Sequence, residues 1–196
     1  IVRDPRAVIA SNIASGQAYP LVFTLRQWRK IAGIAIRCSK LSNQELLKYE
    51  DLVSDKEYIS VKLCRFLNID YDSSMICEES YKDGEGNPWK RNTSYKNKTS
   101  NKIQASNDWL KILSEKQIMF IEKYSQKEME ILGYEQLNSN YPDKTGYAEA
   151  NIQYASWIQK YSNYDWKDEE EKENNRIRLI SSSGHITDKE IEYNFI

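Results

Sequence analysis

The apolar positions fall into short periodic runs, most of them opened by a local start signal. Residues 1–15 predict the end of a buried strand followed by a helix. Asp4 is a good N-cap, and Pro5 suits the first helical position because its missing N–H would find no partner there anyway. Val8, Ile9 and Ile13 form an apolar side, while Ala7, Ala10, Ser11, Ala14 and Ser15 form a small-residue side that another group can approach closely. A second helix is predicted from Thr24 to near Lys40, with Thr24 and Gln27 as a capping box and Leu25, Trp28, Ala32 and Ala35 at helical spacing.

ELLKYEDL at 45–52 has the length of a strand, and Val53 and Ser54 then lead into a helix. Ser54 with Glu57 makes a capping box, Val53 and Tyr58 a staple, and Ile59, Leu63, Phe66 and Leu67 a buried face. Strand followed by helix predicts an α/β layer arrangement. From Asn68 to about Ser106 the chain is polar and broken by Gly84, Gly86 and Pro88, which predicts a long loop. Ser114 with Gln117 opens a further helix, with Ile118, Ile121, Met129 and Leu132 on one face and Gly133 as its stop. The composition changes after Tyr134, so the core is assigned to 1–135 and an extension to 136–196. In the extension Tyr147, Tyr154, Ile158 and Tyr161 predict one more helix, and the acidic run at 168–173 a solvated stretch.

Composition narrows the function. Lysine plus arginine number 28 and aspartate plus glutamate 29, so there is no positive excess to track a nucleic-acid backbone. No apolar run is long enough to span a membrane, and no signal-peptide pattern stands at the start. The three cysteines, Cys38, Cys64 and Cys77, lack CxxC spacing and are expected as buried free thiols, not as a disulfide or zinc site. Asn92 and Asn97 match the glycosylation acceptor pattern, which is too short to settle the compartment.

The first candidate for chemistry is Arg3. An arginine leaving a strand beside a helix N-terminus stands where open α/β sheets bind anions. Ser11, two turns along the helix, adds a hydroxyl, so an anion held by both would lie along the helix flank. The competing reading pairs Arg3 with Asp4 or another carboxylate and makes Ser11 merely small for packing.

VRDPRAVIAS at 2–11 resembles the 3′-phosphate-binding segment of the sulfotransferases that use 3′-phosphoadenosine 5′-phosphosulfate, and KYEDL at 48–52 is similar to that family's later strand motif. The order and spacing agree: a helix after KYEDL finishes in RFLNI at 65–69, where the family tends to have a Phe-Leu-Gly turn. NPWKRNTSY at 87–95 and the stretch from Asp108 to Glu135 resemble the end of the carbohydrate-type and bacterial members.

The resemblance implies a P-loop-kinase-like α/β fold, a parallel sheet with flanking helices, here truncated at its N-terminus. It implies that Arg3 and Ser11 hold the 3′-phosphate of the donor, that Tyr49 contacts the adenine, and that Glu50 and Asp51 fix the following helix and backbone. Lys90 and Arg91 fall where cytosolic members carry a basic segment closing over the donor, although Lys-Arg-Asn here departs from the family's Arg-Lys-Gly. The only histidine, His185, lies in the unmatched tail, and a catalytic base is expected before Arg3 instead. Trp157, Tyr161, Tyr164 and Trp166 are expected to pack against a neighbouring element, with sugar stacking as the alternative.

Only Ile1 and Val2 precede Arg3, and no GxxxxGK or glycine turn between strand and helix occurs, so the 5′-phosphosulfate loop and the acceptor base are expected upstream of Ile1. The implied function is transfer of a sulfuryl group from the nucleotide donor to a hydroxyl or amine acceptor, with a lean to carbohydrate. No metal, nucleic-acid partner or membrane segment is expected. The implied location is cytoplasmic, or the Golgi lumen for a eukaryotic parent with an upstream anchor, and the 196 residues alone are expected to be inactive. The rival readings are another P-loop-like nucleotide or sugar kinase and a non-catalytic interaction module.

Overall fold

The computed structural model describes residues 1–16, 19, 21–77, 81–82, 84–87, 108–137, 168, 171–172 and 175. Their order is α1 (Pro5–Ala14), α2 (Leu21–Cys38), α3 (Tyr49–Ser54), α4 (Lys56–Leu67), a 3₁₀ turn (Ser73–Ile76), α5 (Trp109–Ile112) and α6 (Glu115–Leu132). No helix among them is long and apolar enough to cross a membrane.

The expected parallel sheet is corrected: the described residues are mainly helical and contain no strand or sheet. Between described residues the extended pairing is an isolated parallel bridge, Val2 with Lys48. The Val2 N–H donates to the Leu47 carbonyl at 2.8 Å, and the Tyr49 N–H donates to the Val2 carbonyl at 2.7 Å. KYEDL does not continue as a strand, because the chain turns helical at Tyr49, one residue beyond the bridge. Glu50 and Asp51 then occupy the first turn, where their negative charge complements the helix dipole.

Local signals held where the bond is made within a few residues. Asp4 caps α1 by accepting the Arg6 N–H at 2.8 Å, with Pro5 at the first helical position. Ser114 and Gln117 form both bonds of their capping box, at 3.3 and 2.9 Å. Gly133 ends α6 in the left-handed conformation at φ 68°, and the Tyr134 and Gly133 N–H groups close back on the Met129 and Glu130 carbonyls. The other two boxes do not form. Thr24 is buried inside α2, which starts at Leu21. Asp55, not Ser54, caps α4 by accepting the Tyr58 N–H at 3.1 Å, while the Ser54 hydroxyl donates to the Asp51 carbonyl.

Ala7, Ile9 and Ala10 of α1 pack with Leu21, Val22 and Leu25 of α2, Trp109 and Leu113, and Ile118, Phe120 and Ile121 of α6. The small residues of α1 are what allow that approach. A second cluster joins Val2 to Trp28 and Ala32 of α2 and to Met129, Leu132 and Tyr134. On α4 only Ile59 of the expected face is buried; Leu63 is intermediate and Phe66 and Leu67 are exposed. Cys64 is buried and Cys38 and Cys77 are partly buried, all three as free thiols.

A buried ion triad crosses the first cluster. The Arg6 guanidinium lies 4.3 Å from the centre of the Trp109 ring and donates to Asp4 and to Glu122, each at 2.6 Å. Burial alone would depress its pKa, but hydrogen bonding and charge from the two carboxylates reverse the shift to a net rise. Glu122 also accepts the Leu137 N–H at 3.0 Å, so it fixes the chain after α6 as well. Glu122→Ala should therefore lower the unfolding free energy in urea by about 3 to 5 kcal/mol, as expected for a broken buried pair. Ser114→Ala, at an exposed cap, should cost about 1 kcal/mol.

Candidate functional site

The site is the corner where the bridge meets the first turn of α1. Arg3 follows the bridge residue Val2, and Tyr49 follows its partner Lys48. Pairing of the two segments therefore brings Arg3 against Tyr49, with the guanidinium carbon 4.7 Å from the ring centre. The structure thus joins two of the residues expected to bind the donor.

The alternative pairing of Arg3 with Asp4 does not form. The Asp4 carboxylate accepts the Arg6 N–H at 2.8 Å, Arg6 Nε at 3.0 and 3.2 Å and Arg6 Nη2 at 2.6 Å. Arg3 has no ion pair among the described residues, and its Nε is buried without a hydrogen-bond partner. A buried N–H left unmet costs about 1 to 3 kcal/mol. The N-terminus of α1 already holds the Asp4 carboxylate.

Ser11 lies two turns along α1 and is partly buried; its hydroxyl makes no hydrogen bond among the described residues. Lys90, Arg91, His185, Trp157, Tyr161, Tyr164 and Trp166 lie outside the described residues, as do Asn92, Asn97 and the helix expected near Tyr154. No cluster of three or more His, Cys, Asp or Glu side chains is placed to hold a metal among the described residues.

The backbone beneath Arg3 is held on both sides of one peptide unit. Its carbonyl accepts the Trp28 Nε1–H at 2.8 Å, and its N–H, which belongs to Asp4, donates to Glu50 Oε1 at 3.1 Å. Glu50 Oε2 accepts the Tyr134 hydroxyl at 3.0 Å. Glu50 thus fixes a backbone, as expected, but that of Asp4 and not that of its own helix. Asp51 faces the Lys48 ammonium at 3.7 Å, and Lys48 in turn lies 5.4 Å from the centre of the Tyr134 ring.

Trp28 and Tyr134 were not foreseen at the site. Trp28 was legible as core, but nothing local announces that its indole N–H reaches Arg3. Tyr134 directly follows the helix-stopping Gly133, a position that ordinarily packs back on the last turn. That signal places the ring and is silent about the hydroxyl.

Comparison with protein-family models, with curated proteins and with solved structures finds no match.

Burial, reinforced by the charge of Glu50 and the hydrogen bond to it, pushes the Tyr134 phenol well above its ordinary value of 10.0. A pKa raised by folding contributes stability that is full below the unfolded value and is lost as pH rises toward the folded one. Urea unfolding at successive pH values should show wild type losing stability relative to Tyr134→Phe as pH climbs past 10.0. Parallel curves for the two proteins would contradict the raised phenol.

Proposed function

We propose that this corner binds the 3′-phosphate of an adenine nucleotide, and that the protein serves a sulfotransferase reaction with 3′-phosphoadenosine 5′-phosphosulfate as donor. The observation that carries the reading is the Arg3 guanidinium, stacked on Tyr49 with a buried Nε unmet while Arg6 occupies Asp4. A phosphate oxygen supplies what that N–H lacks, through a charge-assisted hydrogen bond. The Ser11 hydroxyl, two turns along the α1 helix that follows Arg3, is a further donor for a phosphate lying along that helix's flank. The Tyr49 ring, carrying the guanidinium on one face, offers its remaining surface to the adenine. The resemblance of VRDPRAVIAS and KYEDL to the donor-binding segments of sulfotransferases supports the same assignment for both residues.

In the reaction the bond between sulfur and the bridging phosphosulfate oxygen breaks, and a new sulfur–oxygen or sulfur–nitrogen bond forms to the acceptor. The acceptor loses its proton to a base, and adenosine 3′,5′-bisphosphate leaves. Arg3, Ser11 and Tyr49 contribute by holding the nucleotide, so their share is positioning. The acceptor class, hydroxyl or amine with a lean to carbohydrate, follows from the resemblance.

Calorimetry with adenosine 3′,5′-bisphosphate, adenosine 5′-phosphate and ATP tests the proposal. The bisphosphate should bind tightest, and Arg3→Ala should weaken it about 10- to 100-fold, the loss of a charged hydrogen bond, with little effect on the monophosphate. Equal losses for both would remove Arg3 from the 3′-phosphate. A preference for ATP would favour a kinase, and binding of none of the three an interaction module.

A further inference from the structure

We infer that Tyr134 and Glu50 are positioning residues for the Arg3 site, a hydrogen-bonded lock between the end of α6 and the peptide that leaves Arg3; its ligand arm rests on the functional reading above. Glu50 is bidentate across two separate parts of the chain. Oε1 takes the Asp4 N–H at 3.1 Å and Oε2 takes the Tyr134 hydroxyl at 3.0 Å. Glu50 directly follows Tyr49 in the chain, so the residue that holds the Arg3–Asp4 peptide is covalently joined to the one on whose ring the guanidinium rests. Rotation of that peptide would swing the Arg3 side chain off Tyr49, and Glu50 on one side with Trp28 on the other opposes it.

Tyr134 keeps the carboxylate in place. The left-handed turn at Gly133 folds the chain back, and the Tyr134 N–H closes on the Met129 carbonyl at 2.8 Å. The ring then packs with Val2, Trp28, Met129 and Leu132, and the hydroxyl points at Glu50. Its raised pKa keeps it a neutral donor throughout the physiological range. Without the hydroxyl, Glu50 Oε2 loses its protein partner, and the carboxylate is free to rotate away from the Asp4 N–H. The packing of the ring is untouched by that loss, so Tyr134→Phe separates positioning from folding.

The test combines a resonance with a binding cycle. In wild type the Arg3 Nε–H should resonate under the ring current of Tyr49; in Tyr134→Phe it should shift toward the position of an exposed arginine while the Ile121 and Met129 methyl signals stay. Tyr134→Phe should weaken adenosine 3′,5′-bisphosphate about 3- to 10-fold, less than loss of Arg3 because the hydroxyl acts through Glu50 and not on the nucleotide, and leave adenosine 5′-phosphate unchanged. In the Arg3→Ala background it should weaken nothing further. An unmoved Arg3 resonance, or an equal loss with and without Arg3, overturns the lock. If wild type does not prefer the bisphosphate, the nucleotide reading fails, and the Arg3 resonance alone decides the lock. Should Tyr134→Phe not fold, Glu50→Ala, which removes both acceptors, is read by the same resonance and the same criterion.

Discussion

Two arginines stand three residues apart with one aspartate between them, and only Arg6 is bonded to it. Arg6 is buried under Trp109, and a guanidinium, which keeps its charge even there, is costly to bury without carboxylates in contact. It therefore takes Asp4 and Glu122 together. That single allocation caps α1, ties α1 to α6 and leaves Arg3 without an ion pair among the described residues. With Asp4 taken by Arg6, the Arg3 guanidinium beside Tyr49 keeps a buried Nε without a hydrogen-bond partner.

The rest of the site follows from keeping Arg3 in place once it is unpaired. One parallel bridge brings Arg3 to Tyr49, and the adjoining peptide is bonded on both ends, to Trp28 and to Glu50. The cluster of Val2, Trp28, Ala32, Met129, Leu132 and Tyr134 lies beneath this arrangement and ties it to α2 and to the end of α6. A rigid backbone under a cation with an unmet N–H is what preorganised anion binding requires, since little ordering remains to be done when the ligand arrives.

How far the structure was legible depended on the range of the interaction. The Asp4 cap, the Ser114 capping box and the Gly133 stop are closed within a few residues, and the sequence announced each of them. The Thr24 and Ser54 boxes failed because the same spacing of residue types also occurs inside or just before a helix, where other contacts place the terminus. KYEDL misled for a related reason: its length and apolar positions fit a strand, while Glu50 and Asp51 equally fit the first turn of a helix, and the helix formed. With no strand or sheet among the described residues, the α/β expectation fell too. Arg3 and Tyr49 were named from the sequence and do meet. The contacts that hold them, from Trp28, Glu50 and Tyr134, join residues 25, 46 and 84 positions apart, and no local pattern encodes those distances.

The central claim is that Arg3, and not Arg6, is the cation left for an anionic ligand. A crystal structure of the chain with adenosine 3′,5′-bisphosphate tests it most directly. The account predicts a 3′-phosphate oxygen within hydrogen-bonding distance of Arg3 Nε, with Arg6 still bonded to Asp4 and Glu122. A nucleotide bound elsewhere with Arg3 Nε still unmet, or a phosphate that draws Arg6 away from Asp4, would contradict it.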